Sequence, residues 1–391
     1  MMPDYSDILA IVPGGSNTDL VISGARMVAP GKLSAGGRLT IGPGGKSRNV
    51  AQMMAAYLGP GRVAFLGRTL SAPQYPSPLT GEVPPSGGGG GAMREQPNQR
   101  AASSAGVTLT RPCGPPSPVK GGGLASSPDD LLPVVYSLLA QVPLAALRQA
   151  GVVTDFVRQV PYAGTAAGVA EILVSPEGEN TIYLAPGVNA EFSPCDVDDA
   201  EPLFAAAKQR GGAVMPLALE IPLATAAHAA RKARDCGMTV VLDPGGIDAE
   251  GDYGEVLSLV DIVKPNEHEV RLLTGVSVDD DASAAEAADV LAKEYGIGCT
   301  IITAGSRGAW HAAGGRATFY PACRVKHVAD TTGCGDQFMA VLCSRLAREP
   351  GSPDAAMREA VMAAALQATR PGIQPVAAEE VRRFAAEQAG R

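Results

Sequence analysis

The chain has 391 residues, 46 % of them apolar but only 4 % aromatic, and a net charge of −8 at neutral pH. That length suffices for a large core, the Ala-, Val- and Leu-rich apolar fraction suits helices packed on a sheet, and the negative balance argues against a nucleic-acid or anionic-membrane partner. The first ten residues carry two Asp and no Lys or Arg, and no run of about 18 apolar residues stands out, so neither a secretory signal nor a membrane helix is expected. The seven Cys are widely spaced and never CxxC, which points to reduced thiols in a cytoplasmic protein.

In chain order, Asp7 to Val12 is a short apolar run closed by Pro-Gly-Gly, the pattern of a buried strand. Leu20 to Val28 is less apolar and is predicted to be an edge strand. Val50, Met53, Met54 and Leu58 recur at helical spacing after a Gly-rich loop, so a helix begins near Ser47 or Arg48, and Arg62 to Leu66 is the next strand. Composition then changes: residues 71–130 hold 11 Pro and 11 Gly in 60 positions, with two imperfect copies of one Pro/Gly unit. Such a segment offers too little apolar surface to offset ordering entropy and reads as a low-complexity, disordered insertion. Helical pattern returns at Leu131 to Ala150. Gly168 to Leu184 reads as two strands about an EGEN turn, and helices and strands alternate from Leu223 onward. Alternation of this kind predicts an α/β fold with a mostly parallel sheet covered on both faces and ligands at the carboxyl ends of its strands.

Three clusters carry chemistry. Asp330-Thr-Thr-Gly-Cys-Gly-Asp336 precedes an amphipathic helix. Gly333, Cys334 and Gly335 leave room for backbone N–H groups to converge at the positive end of a helix, an anion site with the Asp336 carboxylate beside it. The plainer alternative is a Gly-rich turn with Asp336 as N-cap. Gly42-Pro-Gly-Gly-Lys-Ser47 suggests a P-loop, but that pattern needs Gly where Thr40 stands, so the match fails. Asn266 and Glu269 lie three apart at the start of a helix, which suits either hydrated Mg²⁺ near phosphates or a cap. The four His show no ligand spacing, and no Ser-His-Asp order or GxSxG supports acyl transfer.

Taken together, Gly15-Ser-Asn-Thr-Asp19, Gly44-Gly-Lys-Ser-Arg-Asn49, Glu177-Gly-Glu-Asn180, Lys264-Pro-Asn-Glu-His-Glu269, Thr303-Ala-Gly-Ser-Arg-Gly308, Asp330 to Asp336 and Thr369-Arg-Pro-Gly-Ile-Gln-Pro375 resemble, in order, the motifs of the ribokinase-like (PfkB) sugar kinases. The resemblance spans the chain outside residues 71–130. It implies one kinase domain over residues 1–391, with a small β lid from about 18–42 and 156–184, interrupted by the insertion at 71–130. It implies transfer of phosphate from ATP to a sugar hydroxymethyl group, most simply that of ribose. Asp336 is then the base, and Gly333, Cys334 and Gly335 form the anion hole. Asn17, Asp19, Gly45, Lys46, Asn49 and Glu179 would hold the sugar. Asp243, Thr303, Gly305, Ser306 and Gly308 would line the nucleotide site, and Asn266 and Glu269 would organise Mg²⁺. Carbonyls at Asp330, Thr332, Arg370 and Gly372 would offer a K⁺ site, although Val376 stands where the family often has Ser. Lid-to-lid homodimers occur in the family. Ser47 and Arg48 replace small residues beside the sugar loop, which leaves open another sugar, a sugar acid or a nucleoside as substrate. Cys334, in place of Ala, suggests sensitivity to thiol oxidation. The rival from another class is a sugar- or nucleotide-binding relic spoiled by the insertion.

Overall fold

A computed structural model of the chain describes residues 4–24, 36–73, 128–175, 180–350 and 353–389. The first part contains β1 (Ala10–Pro13), β2 (Asn17–Ser23), β3 (Arg38–Gly44), α1 (Lys46–Leu58) and β4 (Val63–Leu70). Next come α2 (Pro128–Gln149), β5 (Val157–Val160), β6 (Val169–Val174), β7 (Asn180–Ala185), α3 (Pro194–Asp198), α4 (Glu201–Arg210) and β8 (Val214–Ala218). The alternating half follows as α5 (Leu223–Asp235), β9 (Thr239–Asp243), α6 (Gly254–Leu257), β10 (Ile262–Val263), α7 (Glu267–Thr274), α8 (Asp281–Tyr295) and β11 (Cys299–Thr303). A hairpin, β12 (Gly308–Ala313) and β13 (Arg316–Pro321), precedes α9 (Cys334–Arg348), α10 (Pro353–Gln367) and α11 (Ala378–Ala389).

The strands form two sheets. The larger runs β13-β12-β11-β10-β9-β8-β1-β4-β5 and is parallel except for the β11-β12-β13 meander. Its central strands are mostly apolar, as suits strands buried on both faces. Alternate residues feed two cores. Val12, Phe65, Val214, Val241 and Ile301 pack toward α1, α9 and α10, whereas Ile11, Leu66, Met215, Leu217 and Leu242 pack toward α4 and α5. The smaller sheet, β3-β2-β6-β7, stands apart.

Several expectations are corrected here. β2 lies between β3 and β6 rather than at an edge. β5, expected within the small sheet, extends the large one by pairing with β4. The C-terminal helix α11 had no counterpart in the pattern read from the sequence. Cys195 is disulfide-bonded, against the expectation of free thiols, while Cys236, Cys299, Cys323, Cys334 and Cys343 are free. The 19-residue α2 stretch Leu131–Gln149 has a mean hydropathy of 1.5 over an 18-residue window, long and apolar enough to cross a membrane by length and composition.

α2 is nonetheless tied to both sheets, and its sequence explains how. Pro143 has no N–H to offer the Leu139 carbonyl four residues back. That carbonyl accepts from Thr18 Oγ1 instead, at 2.5 Å, while Gln141 Nε2 donates to Leu70 O at 2.9 Å. The insertion's residues 74–127 lie outside the described residues.

Candidate active site

The carboxyl ends of the parallel strands gather the polar residues. β8 leads to Glu220, β9 ends in Asp243, β10 runs into Lys264, and β1 runs into the turn before Asn17. The chain arriving from the small sheet meets them at α1. Two glycines permit the approach: a Cβ on Gly44 would lie 1.7 Å from Asp19 Oδ1, and Gly45 holds φ +97° with Gly15 O only 2.9 Å from where its Cβ would be. Helix α1 then starts at Lys46 with no side-chain cap of its own. Glu220 Oε2 accepts from the Lys46 N–H at 3.0 Å, a carboxylate at the positive end of the helix supplied by another strand.

Asp336 lies at the centre of this cluster and is buried. Its Oδ2 accepts from Asn49 Nδ2 at 2.7 Å and its Oδ1 lies 4.0 Å from Lys46 Nζ. Lys46 Nζ also reaches Asp243 Oδ1 at 3.4 Å, and Lys264 Nζ binds the other Asp243 oxygen at 3.0 Å. Burial pushes Asp243 up, but Lys264 and then Lys46 outweigh it and hold the carboxyl below its ordinary range. Asp243 first, with Asp336, Glu220 and Glu269, keeps Lys46 protonated well above the usual lysine range in spite of burial. Two other carboxylates lack such partners. Burial raises Asp19 to about 6 and Glu220 to about 7, the nearby cations offsetting only part of the cost.

Arg48 is fully buried and makes four hydrogen bonds to protein acceptors. It donates to Gly44 O at 3.2 Å, to Pro43 O at 2.8 Å, and to the side-chain oxygens of Gln52 and Asn49. Fixing Asn49 Oδ1 turns that amide so that its nitrogen faces Asp336. Burial lowers the Arg48 guanidinium to about 10. Ser47 packs against Gly14, where a Cβ would lie 2.0 Å from its own. Thus the two departures from the small-residue pattern are absorbed by structure: one fills space and the other orients Asn49.

Helix α9 opens at Cys334, with Gly333 as its N-cap in the left-handed region at φ +75°. That φ favours glycine, and a Cβ there would also press on the tip of the Ile373 side chain, whose Cδ1 lies 2.5 Å away. Asp336 is therefore the third helical residue and not the N-cap. The N–H of Cys334 bonds Thr331 O and that of Gln337 bonds Gly333 O. The amides of Gly335 and Asp336 between them begin the helix with no carbonyl four residues back inside it. Cys334 is half-buried, and burial, then Asp330 and Asp336, push its thiol up to about 11. That upward shift works against thiolate formation, on which oxidation depends.

The remaining expected residues divide. Asn17 is buried and its Oδ1 accepts from Asn189 Nδ2 at 2.8 Å. Asn266 and Glu269 form a reciprocal capping box on α7, each side chain accepting the other's backbone N–H at 2.8 Å. The capping alternative is thus realised, while Glu269 Oε1 stays uncommitted among the described residues. Thr303 bonds Pro265 O through its N–H, and Gly305 and Ser306 are exposed in the turn beyond it. Gly308 is buried, where a Cβ would lie 2.1 Å from Tyr320 O, so it serves the hairpin. Glu179 lies outside the described residues. Two of the four expected K⁺ ligands, the carbonyls of Thr332 and Gly372, both accept from Gln367 Nε2. Glu220, Lys264, Asn189 and Gln367 had not been singled out. Only Lys264 carried a signal, as the first residue of the segment running into Asn266.

Residues 137–380 match the family described as pfkB family carbohydrate kinase. Over 229 residues the chain is 35 % identical to a ribokinase of Haemophilus influenzae, covering 59 % of this chain and 71 % of that protein. Over 237 residues it is 32 % identical to a deoxyribokinase of Salmonella typhi, covering 61 % and 74 %. Among solved structures it resembles Arabidopsis thaliana ribokinase complexed with ribose and ATP, at TM-score 0.68 and 21 % identity over 96 % of this chain and 97 % of that one. Giardia lamblia ribokinase is similar, at TM-score 0.69 and 21 % identity over 96 % and 99 %.

Proposed function

The chain belongs to the pfkB family of carbohydrate kinases, and from that premise we propose that it transfers the γ-phosphate of ATP to the hydroxymethyl group of a pentose, ribose foremost. The observation that carries this reading is the placement of Asp336: a buried carboxylate one turn into α9, oriented by Asn49, facing Lys46 and flanked by the first amides of the helix. Asp336 takes the proton of the attacking hydroxyl, and the Gly335 and Asp336 amides with the helix dipole receive the charge that develops on the transferring group. Lys46 offers a fixed cation beside the same point. Asn17, Asp19, Gly45 and Asn49 lie where sugar hydroxyls would bond, and the ionised Asp19 gains from hydroxyl donors what burial denies it.

The nucleotide lies along Thr303, Gly305 and Ser306. Glu269, with one free oxygen and a charge felt by Lys46, is the group of the α7 pair that fits a hydrated Mg²⁺. When bound, that ion neutralises phosphate charge. The small sheet also supports a homodimer: Leu39, Ile41 and Tyr183 share one exposed face by register.

The test is ADP formation across ribose, deoxyribose, fructose, 2-keto-3-deoxygluconate and adenosine. Ribose is expected to give the highest kcat/KM. Because one relative is a deoxyribokinase, deoxyribose is the named second reading, and ribose among the poorest substrates would sink the first.

A further inference from the structure

We propose that the side-chain amide of Gln367 takes the place of a monovalent cation beneath the anion hole, so that this chain works without K⁺. Gln367 ends α10 and is wholly buried. Its Nε2 donates to Thr332 O at 3.2 Å and to Gly372 O at 2.6 Å. These are two of the carbonyls that would have to coordinate an ion, and one NH₂ group with two hydrogens satisfies both. Because a single nitrogen reaches both oxygens, they converge on one point, and the amide occupies it.

The side chains of the loop pair are committed to the protein as well. Asp330 Oδ1 accepts from Thr332 N at 2.8 Å and its Oδ2 from Gly372 N at 2.8 Å. The Arg370 guanidinium bonds Pro375 O at 3.0 Å and the Glu380 carboxylate at 2.5 Å. Asp330 N and Ala329 N both donate to Ala368 O. K⁺ binding at this point would require two carbonyl oxygens that are here engaged by N–H donors, and the Gln367 amide would have to turn away from both to admit the ion. The amide's Oε1 has no donor partner among the described residues, so the two carbonyls alone fix its orientation. Val376 adds no ligand; its N–H is taken by Gln337 Oε1 at 2.9 Å.

The location gives the substitution a consequence. Thr332 directly precedes Gly333, the N-cap of α9. Whatever pins the Thr332 carbonyl also pins the start of the helix that presents Asp336. A fixed side chain performs that task at every ionic composition, whereas an ion performs it only when bound.

The activity arm of the test rests on the kinase reading; the melting arm does not. The full chain is transferred to a choline chloride buffer free of K⁺, then titrated with KCl at constant ionic strength. Sugar-dependent ADP formation and the melting temperature are both recorded, with NaCl as control. For the natural chain, the rate is expected to change less than about twofold, and K⁺ to shift the melting temperature no more than choline does. Gln367→Ala empties the point between the carbonyls. Its rate without K⁺ is expected to fall about tenfold and to recover in about 100 mM KCl, with a K⁺-specific rise in melting temperature. A natural chain that K⁺ activates about tenfold or stabilises specifically would overturn the inference, and would mean that the amide is turned with its oxygen toward an ion. A Gln367→Ala variant as indifferent to K⁺ as the natural chain would overturn it as well. Should that variant not fold, the natural chain's response decides.

Discussion

Two stretches of one loop, a few residues apart, are built on opposite principles. In the clamp formed by Asp330, Thr332, Gly372 and Gln367, both oxygens of the Asp330 carboxylate and the carbonyls of Thr332 and Gly372 each meet a protein N–H. At the tip formed by Gly335 and Asp336 with Lys46, groups keep capacity in reserve: helix-initial amides without carbonyls, a lysine 4.0 Å from a carboxylate rather than in contact, and two carboxylates raised by burial. Saturated groups hold shape, and unsaturated ones await a ligand. The difference separates residues that the shared motif Asp330 to Asp336 presents as equals.

The comparison can be broken or sharpened by substitution. Lys264→Met removes one cation from a buried Asp243 carboxylate that retains only Lys46 nearby. Breaking a buried pair this way is expected to cost about 3–5 kcal/mol, read as a lower denaturation midpoint with unchanged m. A loss under about 1 kcal/mol would make Lys264 a ligand-facing residue instead.

Glu220 bears on pH. Its folded pKa is raised, from 4.5 to about 7, chiefly by burial. The folded state therefore holds this proton more tightly than the unfolded one, and the stability it contributes is present below about 4.5 and lost as pH rises through about 7. Glu220→Gln is expected to flatten the ligand-free stability profile across that window. An unchanged slope would mean that Glu220 is already ionised at the mouth of the site. The smallest effect is expected at Asn266→Ala, which removes a helix cap worth about 1 kcal/mol and leaves kcat within about threefold. A drop in kcat of tenfold or more would move Asn266 from the saturated class to the reactive one.

Much of this was legible in the sequence, and the exceptions have physical causes. The parallel core strands show as apolar runs and α9 as an amphipathic pattern, because burial imposes those periods directly. α11 escaped notice because its overall composition is polar, although it packs on the neighbouring α10 and on α1. β2 looked like an edge strand because intermediate hydrophobicity also fits the centre of a small sheet exposed on one face. The carboxylate proposed as the base, Asp336, could be named from a local motif because a helix N-terminus and its glycines are local devices. Glu220 and Gln367 could not, since each acts on a segment far away in the chain: Glu220 caps α1, and Gln367 closes a loop 35 residues before it. Arg48 shows the reverse case. Its place in the sugar loop suggested an effect on substrate choice, whereas its four bonds go to the protein itself.

The central claim is that Asp336 is held for chemistry and not for architecture. One preparation of Asp336→Asn tests it, assayed both for ADP formation with the best sugar and for ATP affinity by calorimetry. Turnover is expected to fall by about three orders of magnitude or more while the ATP dissociation constant stays within about threefold of the natural chain. Equal turnover in the two proteins would contradict the account.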